Sequence, residues 1–292
     1  LEVTLRRHKI RHSPIAIIGL GKLGGRELSY GSDLDILFVA EAKAKDLPKL
    51  QKLAIEIMDL LSRATEAGKL FETDARLRPD GEKGLLVNTL AAYEEYYERR
   101  AWLWEIQALT RARFIGGNET IGRRFEEMAA SLTNFARVPP RAASYRPDWK
   151  AEIARMRQRV EKERTPPGKD HLAIKTGTGG LMDAEFLAQA LSLEHGWHEP
   201  NTLGALNRAR DESRIPRRDA DELIESYCKL RIVESILRRW SFEGEAELPS
   251  DPAPLYRVAV RCGYPGAESF LAETTAARTK IRGIFTQMLP CP

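Results

Sequence analysis

The stretch Gly31-Ser-Asp-Leu-Asp-Ile-Leu-Phe38 decides how the chain is read. Leu34 to Val39 is a short apolar and β-branched run behind a Gly-Ser pair, so it predicts a strand. Alternate residues on a strand share a face, which sends Asp33 and Asp35 to one side and Leu34 and Ile36 into a core. Two neighbouring carboxylates repel each other unless a cation lies between them. Mg²⁺, a hard ion that prefers oxygen ligands and phosphate, is the cation this donor set suits. Taken alone, an Asp-x-Asp pair reads more readily as the polar edge of a strand. What surrounds it decides otherwise.

Upstream, Ile15-Ala-Ile-Ile-Gly19 predicts a first strand, and Gly19-Leu-Gly21-Lys-Leu-Gly24 follows it. The glycine spacing matches the dinucleotide-binding pattern, but that fold needs a whole crossover helix inside a unit of about 30 residues. Here the next strand starts ten positions past Gly24, which is too short for a parallel crossover. A glycine loop of this kind instead lets backbone N–H groups approach a phosphate closely. Downstream, Lys69 to Arg78 predicts a third strand, closed by Pro79-Asp-Gly81, and it carries Asp74. Arg76 and Arg78 alternate with Asp74 and are expected on its face.

Between the second and third strands, Asp46 to Ala67 predicts a helix, with Pro48 in its first turn and an apolar face at Leu50, Leu53, Ile57, Leu60 and Leu61. From Leu90 the pattern is helical. Tyr93 to Tyr97 and Trp102 to Arg113 are expected to pack their aromatic rings in a core, and Arg111 and Glu105 read equally as a buried ion pair or as site residues. Pro139-Pro140 and Pro147 mark a break, and amphipathic helices follow, so the domain boundary is placed near residue 140. Lys175 and the Gly177-x-Gly-Gly180 turn precede a helix predicted from Leu181 to His195 and ended by Gly196. Asp183 and Glu185 in its first turn either complement the helix dipole or contact a nucleotide or metal.

Bulk properties restrict the class. Hydrophobic residues at 42% and charged residues at 30% suit an ordinary globular chain, and no apolar run approaches the roughly 20 residues of a membrane span. Cys228, Cys262 and Cys291 form no disulfide or zinc pattern, which points to the cytoplasm. A net charge of +4, spread along helical faces, does not call for nucleic acid. The first residue is Leu, so the chain is expected to be a piece of a longer protein.

The order of these parts resembles the polymerase-β-like nucleotidyltransferases. In that group a small-residue loop ends the first strand, an acidic pair follows about ten residues later, and a third carboxylate comes from another strand. A narrower likeness rests on four ordered motifs. They are Gly21-Lys-Leu-Gly-Gly-Arg-Glu-Leu-Ser-Tyr-Gly-Ser-Asp-Leu-Asp35, Asp74-Ala-Arg-Leu-Arg-Pro79, Trp104-Glu-Ile-Gln-Ala-Leu-Thr-Arg-Ala-Arg113, and Ile174-Lys-Thr-Gly-Thr-Gly-Gly-Leu-Met-Asp-Ala-Glu-Phe186. Together they resemble the glutamine synthetase adenylyltransferase and adenylyl-removing family. Lys22, where the wider group often has Ser or Gly, is what this family carries.

The resemblance implies an α+β fold. A polymerase-β-like nucleotidyltransferase domain, a small mixed sheet with helices, would span residues 1–140, and an all-α helical bundle would span 141–292. It implies transfer of AMP from ATP to a tyrosine of glutamine synthetase, with the sequence closer to the C-terminal, adenylylating half of the family than to the deadenylylating one. Asp33, Asp35 and Asp74 are the implied catalytic and Mg²⁺-binding residues. Gly21, Lys22, Gly24, Gly25, Ser32, Arg76 and Arg78 are the implied nucleotide contacts, with Lys175, Asp183 and Glu185 as a second tier. A PII-type signal protein is the implied regulator. The rival readings are the deadenylylating half, a regulatory scaffold, and a nucleotidyltransferase with another acceptor.

Overall fold

The computed structural model describes residues 1–41, 43, 46–66, 68, 71–241 and 247–290. Their contacts gather into two units. One holds Leu1–Leu28, Ser32–Tyr145 and Ser192–Asn201, and the other holds Ser29–Gly31, Arg146–Leu191 and Thr202–Pro292. The fold is α+β, with one small mixed sheet and many helices.

In chain order the first unit contains helix α1 (Glu2–Arg7), strand β1 (Ile15–Gly19), the single helical turn α2 (Gly21–Gly24), β2 (Leu34–Ala40) and α3 (Leu47–Ser62). It continues with β3 (Thr73–Asp74), β4 (Val87–Thr89), α4 (Leu90–Arg99), α5 (Leu103–Leu109), β5 (Arg113–Gly117) and α6 (Glu119–Leu132). The sheet order is β3-β2-β1-β5, and β4 also pairs with β2. β1 runs antiparallel to β2 and β5, whereas β3 and β4 run parallel to β2.

The period-2 alternation assigns the faces. Ile15 and Ile17 of β1 pack with Leu34, Ile36, Phe38 and Ala40 of β2 against Leu50, Leu53, Ala54 and Ile57 of α3. Each Ile, Leu or Phe side chain among them stabilises by about 1.5–3 kcal/mol when fully buried. The other row of β2 is Asp35, Leu37 and Val39. Leu37 and Val39 are buried and Asp35 is only half-buried, so the acidic group stands at the open start of an otherwise apolar row.

Several expectations need correction. The helix from Asp46 ends at Ser62, where Arg63 turns to extended backbone. Ala67, Lys69 and Leu70, at the ends of a predicted helix and strand, lie outside the described residues. The third strand is only Thr73–Asp74, because the backbone then turns, with Gly81 N–H donating to Arg78 O at 2.9 Å. The helical reading after Leu90 missed β5, and β4 just before it was also missed. α5 stops at Leu109, and Arg113–Gly117 pairs with β1 across an irregularity between Ile17 and Ile18. Tyr93 and Tyr97 are core rings stacked at 6.1 Å, but Trp102 is 69% exposed and Trp104 40%.

The second unit is helical: α7 (Trp149–Arg164), α8 (Leu181–His195, to Leu191 in this unit), α9 (Thr202–Asp211), α10 (Arg217–Ser241), α11 (Pro252–Arg261) and α12 (Ala267–Met288). Val233 and Leu237 of α10, Leu255, Val258 and Ala259 of α11 and Phe270 of α12 share one apolar cluster. Arg238, buried beside Glu234, donates to Ser29 Oγ and Tyr30 O, both at 3.3 Å. α8 ends as the sequence predicts, with Gly196 at φ +65°. Among the described residues no helix is long and apolar enough to cross a membrane. Cys228 and Cys262 are free thiols, and Cys291 lies outside the described residues.

Candidate active site

The site in the first unit is built where β1 ends and β2 begins. Gly19 is in register with Ile36, and Leu20 N–H donates to Asp35 O at 2.9 Å, so the chain leaving β1 passes directly beside Asp35. Gly21 then takes φ +49°, and a β-carbon there would collide with Asp35 Oδ2. Only glycine meets both demands, the left-handed backbone and the close approach to a carboxylate. The turn closes with Gly24 N–H to Leu20 O at 2.7 Å and Gly25 N–H to Gly21 O at 3.1 Å. Gly24 is fixed for a different reason, since a β-carbon would strike Arg111 O.

β2 starts at Leu34, one residue later than the acidic pair would need if both members were on the strand. Asp33 therefore stands just outside it, exposed, with Asp35 on the strand. Opposite, Asp35 is in register with Asp74 on parallel β3. Register partners on neighbouring strands share a face about 4.8 Å apart. The sheet thus brings two of the three predicted carboxylates together.

Asp74 is clasped by Arg76. Its Oδ1 accepts from Arg76 N at 2.8 Å and Nε at 3.0 Å, and its Oδ2 accepts from Nη2 at 2.5 Å. These hydrogen bonds hold the Asp74 carboxyl below the ordinary carboxylate range, against the opposing pull of burial. Asp74 in turn raises Arg76, and Asp33 adds to the negative field at that guanidinium. Arg78 faces elsewhere than the alternation predicted. It donates to Ala75 O at 2.8 Å and to Glu82 O and Gly84 O at 3.2 Å, bracing the turn after β3. Ser32 is buried and Lys22 half-buried. Among the described residues no group of three or more His, Cys, Asp or Glu side chains is gathered closely enough to hold a metal ion.

A titration follows from the clasp. Because Asp74 is depressed, its ionised form stabilises the fold above the unfolded pKa of about 3.9, and that contribution is lost as pH falls. Carboxyl-carbon NMR of Arg76→Gln should show Asp74 titrating at higher pH than in the wild type. An unchanged midpoint would show that the clasp is not what depresses it.

The second-tier residues lie in the second unit. Asp183 is fully buried, 2.6 Å from Arg157 Nε and 3.1 Å from Arg282 Nε, and its Oδ2 accepts from Gly179 N at 3.0 Å. Burial raises its pKa, opposed by the two arginines. Arg157, also fully buried, donates to the carbonyls of Thr176 and Gly177 at 2.8 Å each. This network holds the Gly177–Gly180 turn. Glu185 is buried, and its Oε1 has no hydrogen-bond partner among the described residues. Lys175 is half-buried, and its carbonyl accepts from Met182 N at 3.1 Å.

Sequence reading paired Arg111 with the wrong carboxylate. Arg111 forms its buried ion pair with Glu27, while Glu105 accepts from Tyr96 Oη at 2.7 Å and Trp102 N at 2.8 Å. Arg113 and Asn201 were not singled out at all. Arg113 donates to Leu23 O and Gly24 O, and Asn201 to Gly25 O, each at 2.8 Å. A sequence separation near 90 or more residues leaves no local signal for such contacts.

Residues 3–128, which carry this whole carboxylate and glycine-turn arrangement, match the family model for glutamate-ammonia ligase adenylyltransferase. The chain belongs to the glutamine synthetase adenylyltransferase family. Residues 148–289 match a second model, GlnD PII-uridylyltransferase. Among curated relatives, the bifunctional glutamine synthetase adenylyltransferase/adenylyl-removing enzyme of Chromobacterium violaceum is 39% identical over 76% of this chain and 25% of its own length. The enzyme of the same name from Aromatoleum aromaticum is 43% identical over 70% of the chain and 22% of its own length. That from Mycobacterium bovis is 35% identical over 93% and 28%. The chain therefore spans about a quarter of the length of the curated relatives it matches.

Proposed function

We propose that this chain transfers AMP from ATP to a tyrosine of glutamine synthetase in a Mg²⁺-dependent reaction. Residues 1–140 serve as the catalytic domain and 141–292 as the helical domain. The observation that carries the reading is the register pairing of Asp35 with Asp74, beside a glycine whose α-carbon abuts the Asp35 carboxylate. The donor set fits Mg²⁺ in kind, since it is all oxygen, with Asp35 and Asp74 on one sheet face and Asp33 just before the strand. Asp33, Asp35 and Asp74 would hold the ion. When bound, it would supply positive charge to the phosphoryl group as the tyrosine oxygen enters and the pyrophosphate oxygen leaves in an in-line displacement.

The chain's own groups divide the remaining work. The glycine turn presents the backbone N–H groups of its first residues, from Gly21, to the phosphates, while the Gly24 and Gly25 N–H groups close the turn and let it lie near them, with Ser32 as a hydroxyl partner. Lys22 and Arg76 neutralise charge on the departing pyrophosphate. Arg78 acts through the turn it braces. Asp74, held below the carboxylate range, is ionised at neutral pH and a weak base, so it serves better as a negative anchor than as the group that takes the tyrosine proton. In the second unit Glu185 keeps a buried oxygen without a hydrogen-bond partner among the described residues, which makes it, with Lys175, a candidate for a polar contact of that unit's own. Asp183 acts structurally. A PII-type signal protein is the proposed regulator of the full-length enzyme, and the free thiols Cys228 and Cys262 suit a cytoplasmic setting.

Isotope transfer tests the direction. With [α-³²P]ATP and Mg²⁺, label should enter unmodified glutamine synthetase, and none should enter from [γ-³²P]ATP. Phosphate-driven release of label from adenylylated glutamine synthetase, with no forward labelling, would assign the chain to the deadenylylating activity instead. Neither reaction would leave the scaffold or another acceptor.

A further inference from the structure

Three successive carbonyls of the glycine turn, on Leu23, Gly24 and Gly25, are held by side chains from distant parts of the first unit. Two of the three are held by one residue: Arg113 Nη2 takes Leu23 O and Nε takes Gly24 O, both at 2.8 Å. Arg113 is the first residue of β5, and its backbone is in register with Gly19, the last residue of β1. Its stem is therefore fixed by the sheet beside the point where the chain leaves for the turn. A planar guanidinium delivers two bonds in fixed geometry, which an ammonium cannot do.

Arg113 is half-buried and forms no ion pair among the described residues. Burial, with Arg26 nearby, lowers its pKa, and the Glu126 carboxylate opposes that shift. Carbonyl acceptors satisfy its hydrogen bonds without cancelling its charge. The turn thus has a rigid brace beneath it and a half-buried guanidinium whose carbonyl partners leave its charge in place, both of which favour a polyanion at the turn.

We propose that Arg113 is a positioning residue for the nucleotide, acting through the turn Gly21–Gly25 and not by touching the reacting atoms. The proposal rests on the nucleotidyltransferase reading and extends it to a residue on the opposite side of the turn from the phosphates. Asn201, which holds Gly25 O, assists.

The test is ATP binding by the whole chain, measured calorimetrically with Mg²⁺ and no acceptor. Arg113→Met should weaken ATP by about ten-fold or more, because a displaced turn misplaces every phosphate contact at once. Arg113→Lys, which keeps charge but not the fork, should fall between the two. KM for ATP should rise in steady state, with KM for glutamine synthetase unchanged. Ile57→Val, a core change in α3, serves as the control for stability and should leave ATP affinity intact. The proposal is overturned if Arg113→Met and Arg113→Lys bind ATP like the wild type, or if Ile57→Val loses affinity in step with them. Should Arg113→Met fail to fold, Arg113→Lys decides alone. A wild type that binds no ATP sinks the nucleotidyltransferase reading as well, whereas wild-type binding with unaltered variants sinks only the role of Arg113.

Discussion

Asp35→Asn is expected to lower AMP transfer by at least about a thousand-fold, the rate equivalent of losing roughly 4 kcal/mol of charge stabilisation. The substitution is close to isosteric, so the contact with Gly21 and the β2–β3 register survive. Only the charge goes. Asp35 heads a row whose later members, Leu37 and Val39, are buried, and it faces Asp74 across the strand pair. Removing one of two neighbouring negative charges relieves repulsion, so the melting temperature should hold or rise slightly while the rate collapses. A variant that kept its activity would remove Asp35 from the chemistry, however well the fold survived.

The largest stability effect is expected in the second unit. Arg157→Met should cost about 3–5 kcal/mol in urea unfolding of the chain, the usual penalty for breaking a buried ion pair from one side. Arg157 and Asp183 are both fully buried, and the arginine also supplies the donors for Thr176 O and Gly177 O. Arg282 and Gly179 N remain on Asp183, which places the expected loss toward the lower end of that range. The double variant Arg157→Met/Asp183→Leu should recover part of the loss, since no unpaired charge is left behind. A loss under about 0.5 kcal/mol for the single variant would mean the network is not what holds the Gly177–Gly180 turn.

Where local chemistry dictates local structure, the chain could be read directly. β1 and β2 are apolar runs bounded by glycine, and α8 ends on Gly196 in the left-handed conformation that residue favours. Gly21 was legible as part of a loop, and its reason, the Asp35 oxygen against its α-carbon, was not. β5 was missed because Arg113-Phe-Ile-Gly-Gly117 is short and glycine-rich and follows a helical pattern that suggested continuation. Its strand character comes from β1, which supplies the partner.

The candidate site divides in the same way. Asp33, Asp35 and Asp74 are proposed from type and spacing, and the register between Asp35 and Asp74 gives two of them a shared face. The parts that depend on tertiary contacts were not legible. Arg76 curls back onto Asp74, Arg78 turns to backbone carbonyls, and Arg111 chooses Glu27 over Glu105. In each case side chains of one type compete for several acceptors. Burial and reach decide among them, and periodicity carries neither.

The proposed transfer of AMP to a tyrosine of glutamine synthetase depends on Asp35. Its most direct test is mass spectrometry of glutamine synthetase after incubation with the chain, ATP and Mg²⁺, followed by peptide mapping. The prediction is one added AMP per modified subunit, mapped to a tyrosine and missing when Asp35→Asn replaces the wild type. Unmodified glutamine synthetase after incubation with folded, ATP-binding wild-type chain, or an adduct that persists with Asp35→Asn, would contradict it.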